Sequence, residues 1–335
     1  MIPCSAKKLQ SQNWQDLWQD QVHDLKEISQ EIPHALEFLS RHAKEFPNFP
    51  LRLPRSYLKH IKKLNDPLPI LKQFVPINKE YEHAPGYSLD PLAEKNSNML
   101  PGLIHKYSSR ALLSVTKACA VHCRYCFRRT FSYENNNPGK NGWRLVFEKI
   151  KQDKNIKEVI LSGGDPLALS NNYLQFFLEN LKAICHVKLL RIHTRFPIII
   201  PERIDDEFLK LIKNSGKKIV IVLHCNHPDE ITDNLIKYNL KLLAQNVLLL
   251  NQSVLLHGVN DDLLTLIALS EKLIANHIKP YYLHILDKVV GTHHFDIDIE
   301  KAKILHQSMQ ANLPGYLVPK LAKEIPGKPN KIIIG

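Results

Sequence analysis

The pattern of apolar and polar positions changes character at Arg110. Before it, apolar residues follow helical spacing only in short stretches. Asp16–Ile28 predicts one helix, and Ser56–Leu64 predicts another, stopped by Asn65-Asp66-Pro67. Prolines at 67, 69, 76, 85, 91 and 101 then punctuate the chain and predict irregular backbone. After Arg110 the pattern becomes regular. β-Branched or leucine-rich runs at Ala111–Thr116, Glu158–Ser162, Val187–His193, Lys218–His224, Val247–Leu256 and Pro280–Leu286 predict strands. Amphipathic stretches at Trp143–Gln152, Tyr173–Ile184, Asp205–Asn214, Thr232–Gln245, Leu263–Asn276 and Ile299–Asn312 predict the helices between them.

Strands alternating with helices at roughly thirty-residue intervals predict a parallel sheet of β/α units. Six such units suit an incomplete (β/α)6 barrel rather than the closed eight-stranded form. The chain then divides into an N-terminal helical and irregular region (1–105), a partial barrel (106–312) and a short C-terminal segment (313–335). In parallel α/β folds the chemistry sits on loops at the strands' C-terminal ends. That rule gathers the polar groups on one rim. A cysteine-rich loop follows the first strand and Ser162-Gly163-Gly164-Asp165-Pro166 the second. His193-Thr194-Arg195 ends the third strand and His224 the fourth, Gln252 lies within the fifth, and Asp287 follows the sixth.

The loop reads Cys119-Ala120-Val121-His122-Cys123-Arg124-Tyr125-Cys126, a C-x3-C-x2-C spacing with no fourth cysteine nearby. A [4Fe–4S] cluster takes four ligands, normally all cysteine. Three thiolates leave one iron open to a small molecule. Zinc is the alternative, but a structural zinc site closes with four ligands, and His122 lies awkwardly between two of these cysteines. Six cysteines among 335 residues are too sparse for a disulfide scaffold. Cys4, Cys185 and Cys225 read as incidental thiols. The first twenty residues are polar, with no apolar core of a signal peptide, and no apolar run could span a bilayer. A cytoplasmic protein is expected. The net charge of +12 comes from dispersed basic residues; it fits either a solvated surface or attraction to anionic partners.

The cysteine loop directly after the first strand, followed by Gly163-Gly164-Asp165-Pro166, resembles the radical SAM superfamily. Further stretches resemble its lysine 2,3-aminomutases, nearest to the EpmB branch. They are Pro101–Tyr107, Cys123–Arg129, Asn251–Leu256, Pro280–Asp287 and Tyr316–Ala322. The resemblance implies a [4Fe–4S] cluster on Cys119, Cys123 and Cys126, S-adenosylmethionine on its open iron, and pyridoxal 5′-phosphate (PLP). S-Adenosylmethionine would be lined by Gly163, Gly164, Asp165, His224 and Gln252. The PLP lysine aligns with Lys331, four residues from the C-terminus, where an exposed tail is the plain alternative. Ile332-Ile333-Ile334 beside it predicts that the tail is buried. Arg110 would hold the PLP phosphate, and Tyr107 would lie near its ring. Arg128 would grip the substrate carboxylate, with Asp287 and Glu324 on its distal ammonium. Glu324 is longer than the acid of the clostridial enzymes, and Tyr125 replaces their histidine. Those enzymes carry a C-terminal extension used in assembly, so a monomer or dimer is expected here.

The implied activity is isomerisation of L-α-lysine to (R)-β-lysine. The implied partners are an elongation factor P lysyl-modifying ligase and a flavodoxin- or ferredoxin-type reductant. No membrane or nucleic acid partner is expected. Rival readings are an aminomutase for another amino acid, such as glutamate or arginine, and an iron–sulfur RNA-binding module.

Overall fold

A computed structural model describes residues 13–35, 37–39 and 49–335. Its first elements depart from the single helix expected over Asp16–Ile28. Helices Trp14–Gln19 and Leu25–Glu31 are separated by β1 (Gln21–Val22), which pairs antiparallel with β2 (Leu53–Pro54). Asp20 ends the first helix, and the Asp24 side chain caps the second. Polar residues inside the apolar repeat thus act as stop and start signals. The helix expected over Ser56–Leu64 spans Arg55–Ile61. Cys4 lies outside the described residues.

All six expected strands form, within two or three residues of their expected ends. An antiparallel lead-in, β3 (Asn98–Leu100) and β4 (Leu103–Tyr107), precedes β5 (Arg110–Thr116). Then β6 (Glu158–Gly163), β7 (Leu189–Thr194), β8 (Lys218–His224), β9 (Leu248–Val254) and β10 (Lys279–His284) each pair parallel with the strand before. Two more strands, unforeseen like β3 and β4, complete the sheet. β11 (Lys320–Lys323) is parallel to β10, and β12 (Ile332–Ile333) is antiparallel to β11. The ten strands β3 to β12 lie in sequence order. Among the described residues the edge strands do not pair, so the sheet is open, as an incomplete barrel requires.

The edges nevertheless approach. Tyr107 Oη, from β4, donates to Glu324 Oε1 just beyond β11 at 2.7 Å. Lys106 Nζ lies 3.6 Å from the same carboxylate. The sheet therefore curls until polar side chains bridge its seam. Helices cover the convex face, several started by capping side chains: Ser170, Asp205, Asp262 and Asp298 each accept from a first-turn N–H. Trp143 and Phe177, from two such helices, meet edge-to-face at 4.8 Å and are fully buried. Burying one such side chain contributes about 2–3 kcal/mol.

Period-two alternation decides what faces inward. On β7, Leu190, Ile192 and Thr194 are buried, while Arg191 and His193 face the concave side. Among the described residues no helix is long and apolar enough to cross a membrane.

Candidate active site

The concave side of the sheet holds a cavity of about 410 Å³, within the range of small-molecule sites. The candidate residues drawn from the sequence all line it. The cysteine side brings Cys119, Cys123, Cys126, Gly163, Gly164 and Asp165. The strands bring His224 and Gln252, and the far side brings Tyr107, Arg110, Arg128, Asp287, Glu324 and Lys331. The groups expected at the strands' C-terminal ends share this cavity, but Arg110, expected to hold the PLP phosphate, reaches it from the other end of the strands. Arg110 opens β5 opposite Glu158, whereas the cysteines follow the end of β5. The site runs through the depth of the curled sheet, because its antiparallel lead-in turns back at the strands' N-terminal edge.

At the cysteine end, two loops are stitched together. Gly164 N donates to Thr116 O and Asp165 N to Ala118 O, both at 2.7 Å. Gly163 has φ +113°, in the region that favours glycine, and a Cβ on Gly164 would lie 2.4 Å from Ala118 O. Asp165 is engaged by its own chain. Its carboxylate accepts from Thr194 Oγ1 (2.6 Å) and from the backbone N–H groups of Leu167, Arg195 and Phe196. Burial still pushes its pKa up.

Burial pushes the Cys119 thiol well above its ordinary range, and the charge of Cys126 adds to this. Cys126 is raised to about 11, by burial first and Cys123 second. The sulfurs are thus close enough to oppose each other's ionisation, and bound iron would relieve that cost. Arg195 Nη1 lies 2.9 Å from Cys123 Sγ. His122 turns away, with Nδ1 2.9 Å from Pro50 O and its ring stacked on Phe49. Among the described residues no three His, Cys, Asp or Glu side chains are gathered to hold a single ion. His122, turned to Pro50, is thus not placed as a fourth zinc ligand, while three sulfurs lining one cavity fit a cluster with an open corner.

The far end is a chain of charges. Arg128 places Nε and Nη2 on Glu94 at 2.9 and 2.7 Å, and Nη1 on Ser162 Oγ at 2.9 Å. Burial works against its charge, but Glu94 more than offsets this and keeps it fully ionised. Lys106 Nζ stands between Glu94 (3.9 Å) and Glu324 (3.6 Å). Lys331 Nζ reaches Glu324 Oε2 at 2.5 Å. Register explains this pair: Ala322 faces Ile333 and Lys323 faces Ile332, so Glu324 and Lys331 come next across the ladder.

The apolar run beside Lys331 is not a buried tail, as expected from sequence, but an edge strand with Ile333 46% exposed. Its alternation turns Ile334 toward the neighbouring core, and Ile333, with Lys331, toward the cavity. Burial would raise Glu324, but Lys331 overrides it and holds the carboxyl at about 2. Asp287 behaves oppposite: burial lifts it to about 7, with Lys331 pulling down and Glu324 pushing up. Arg110 lies over the Tyr107 ring at 4.3 Å and has no carboxylate partner among the described residues. That leaves its fork available to a phosphate. On the strands between, His193 Nδ1 and His224 Nε2 are 3.3 Å apart. Burial holds His193 well below its usual range and His224 at about 3, so both rings stay neutral.

Sequence reasoning missed Glu94, Lys106 and His284. His284 ends β10 and could have been found by the strand-end rule. Glu94 sits in the proline-punctuated region and carries no such signal.

The Radical SAM superfamily model matches residues 113–270. An L-lysine 2,3-aminomutase of Haemophilus influenzae is 43% identical over 333 residues, spanning 99% of this chain and 98% of its own. That of Escherichia coli is 44% identical over 283 residues, 84% of this chain and 82% of its own. That of Clostridium subterminale is 32% identical over 327 residues, 96% of this chain and 78% of its own.

Proposed function

Since the chain belongs to the lysine 2,3-aminomutase family of radical SAM proteins, we propose that it converts L-α-lysine to (R)-β-lysine. It is an isomerase, and its cofactors are a [4Fe–4S] cluster, S-adenosylmethionine and PLP. When bound, these supply a carbon-centred radical and the conjugated ring through which an amino group migrates. The observation that carries the reading is the meeting of Cys119, Cys123, Cys126 and Lys331 on one cavity.

In this reading the three cysteines hold the cluster. Gly163 and Gly164 offer backbone to S-adenosylmethionine, because no Cβ blocks the approach, and Asp165 keeps their loop in place. His224 and Gln252 line the same end. Lys331 holds PLP, Arg110 its phosphate, and Tyr107 lies near its ring. Arg128 receives the substrate carboxylate. Glu94 and Ser162 use three of its five N–H groups and fix its plane, which leaves two for the substrate. Asp287 and Glu324 receive the distal ammonium. Gripping both ends of lysine fixes which carbon faces the radical. The acid pair favours a cationic substrate over glutamate. We further propose that the product feeds the ligase that modifies elongation factor P. A flavodoxin- or ferredoxin-type protein would be the reductant, in the reducing cytoplasm.

The test is anaerobic reconstitution with iron and sulfide, followed by PLP, S-adenosylmethionine, dithionite and L-lysine. Chiral chromatography should show (R)-β-lysine. An intact cluster without β-lysine overturns the assignment; the (S) isomer overturns only the stereochemistry.

A further inference from the structure

Arg195 has no part in holding substrate or PLP in the reading above, yet its buried guanidinium makes four side-chain hydrogen bonds. We propose that Arg195 is a positioning residue for the cluster loop and, with Glu230, forms an oriented charge pair that raises the cluster's reduction potential. The inference rests on Cys119, Cys123 and Cys126 being the cluster ligands.

Arg195 follows β7 and is 5% exposed. Its Nη1 donates to Cys123 Sγ at 2.9 Å and to Tyr125 Oη. Its Nη2 donates to Gln73 Oε1 at 2.7 Å and to Glu230 Oε2 at 2.5 Å. Its backbone N–H donates to Asp165 Oδ2 at 2.7 Å. One residue thus ties the cysteine loop to the glycine loop, the N-terminal region and the loop after β8. Glu230 is itself immobilised. Its Oε1 accepts from Gln73 Nε2 (3.1 Å) and from the N–H groups of Asn226 (2.8 Å) and His227 (3.0 Å). The Arg195 guanidinium also lies over the Phe74 ring at 4.8 Å. The pair cannot turn, so its cationic end faces sulfur and its anionic end faces away.

Reduction adds one electron to the cluster, drawn from a low-potential one-electron donor. Positive charge and N–H donors beside a ligand sulfur stabilise that added charge, and burial leaves the field weakly screened. Glu230 opposes it from farther away. The two residues must therefore act with opposite sign.

The experiment measures the midpoint potential of the reconstituted full chain by spectroelectrochemistry with EPR, alongside iron content. Arg195→Gln should lower the potential enough to cut the reduced-to-oxidised ratio at fixed applied potential about tenfold, one decade of a one-electron couple. Glu230→Gln should raise it. Arg195→Lys, which keeps the charge, should fall between wild type and Arg195→Gln. Shifts of the same sign in Arg195→Gln and Glu230→Gln, or unmoved potentials at full iron content, overturn the proposal. If Arg195→Gln loads no iron, Glu230→Gln decides: a rise supports the pair, and a fall or no change overturns it. A wild-type chain that takes up no cluster would instead refute the underlying reading of the cysteines.

Discussion

Around Cys119, Cys123 and Cys126 the backbone is fixed by two glycines, an engaged aspartate and a buried guanidinium, whereas Lys331 stands beside a two-residue strand at the sheet's edge. The cysteine end draws on segments from residue 73 to residue 230. The lysine end rests on a short ladder to β11 and one ion pair to Glu324. The contrast follows from the chemistry each end would serve. A cluster needs three sulfurs held at fixed separations. A lysine that exchanges its bound partner each turnover needs a position it can leave and regain. Its charge is met by Glu324 when it is free.

If the two ends are separate constructions, each can be removed alone. Cys123→Ala should abolish the cluster's visible absorbance and all turnover, while PLP binding, read by its imine absorbance, persists. Lys331→Ala should do the reverse, losing imine absorbance and product with iron content unchanged. Loss of both signals in either variant would break the comparison. Gly164→Ala probes the rigid end more gently. Its Cβ meets backbone rather than a yielding side chain, so overpacking should cost about 1–3 kcal/mol, measured by thermal or denaturant unfolding. The equivalent change at Gly327, where nothing lies within 4 Å, is strained by its positive φ alone and should cost less.

Acidity separates the ends further. Asp287 titrates near 7 because burial disfavours its charge. Above that pH it is ionised and can pair with the substrate's ammonium; below it the carboxyl is neutral. KM for lysine should therefore rise on acidification below about pH 7, approaching tenfold per unit. Asp287→Asn should have a raised KM without that slope. The smallest effect belongs to Glu324. Its pKa lies below the unfolded value of 4.5, at about 2. The pair with Lys331 thus contributes stability above about pH 4.5 that is lost as pH falls toward 2. Hydrogen-exchange protection factors at Ile332 and Ile334 should fall in that window while the Cys123–Cys126 segment keeps its own.

How much was legible varied along the chain. The barrel strands and helices were, because each buries a face whose period shows in the residue pattern. The cysteine loop was legible because its ligands are neighbours in sequence. Trp14–Glu31 was misread because a two-residue strand interrupts a helical repeat, and only its partner at Leu53–Pro54 reveals it. β3, β4, β11 and β12 were missed because strands of two to five residues are too short to show a period.

By itself, the sequence determined the alternating β/α architecture, the three-thiol spacing and the glycine loop, all of which are local patterns. Tertiary structure decided what those patterns meet. It put Arg110 at the opposite edge of the sheet from the cysteines, supplied Glu94 to Arg128 from a region without periodicity, and set Glu324 across from Lys331 through strand register. Those pairings depend on how far the sheet curls and which edges approach, and no stretch of neighbouring residues encodes that distance.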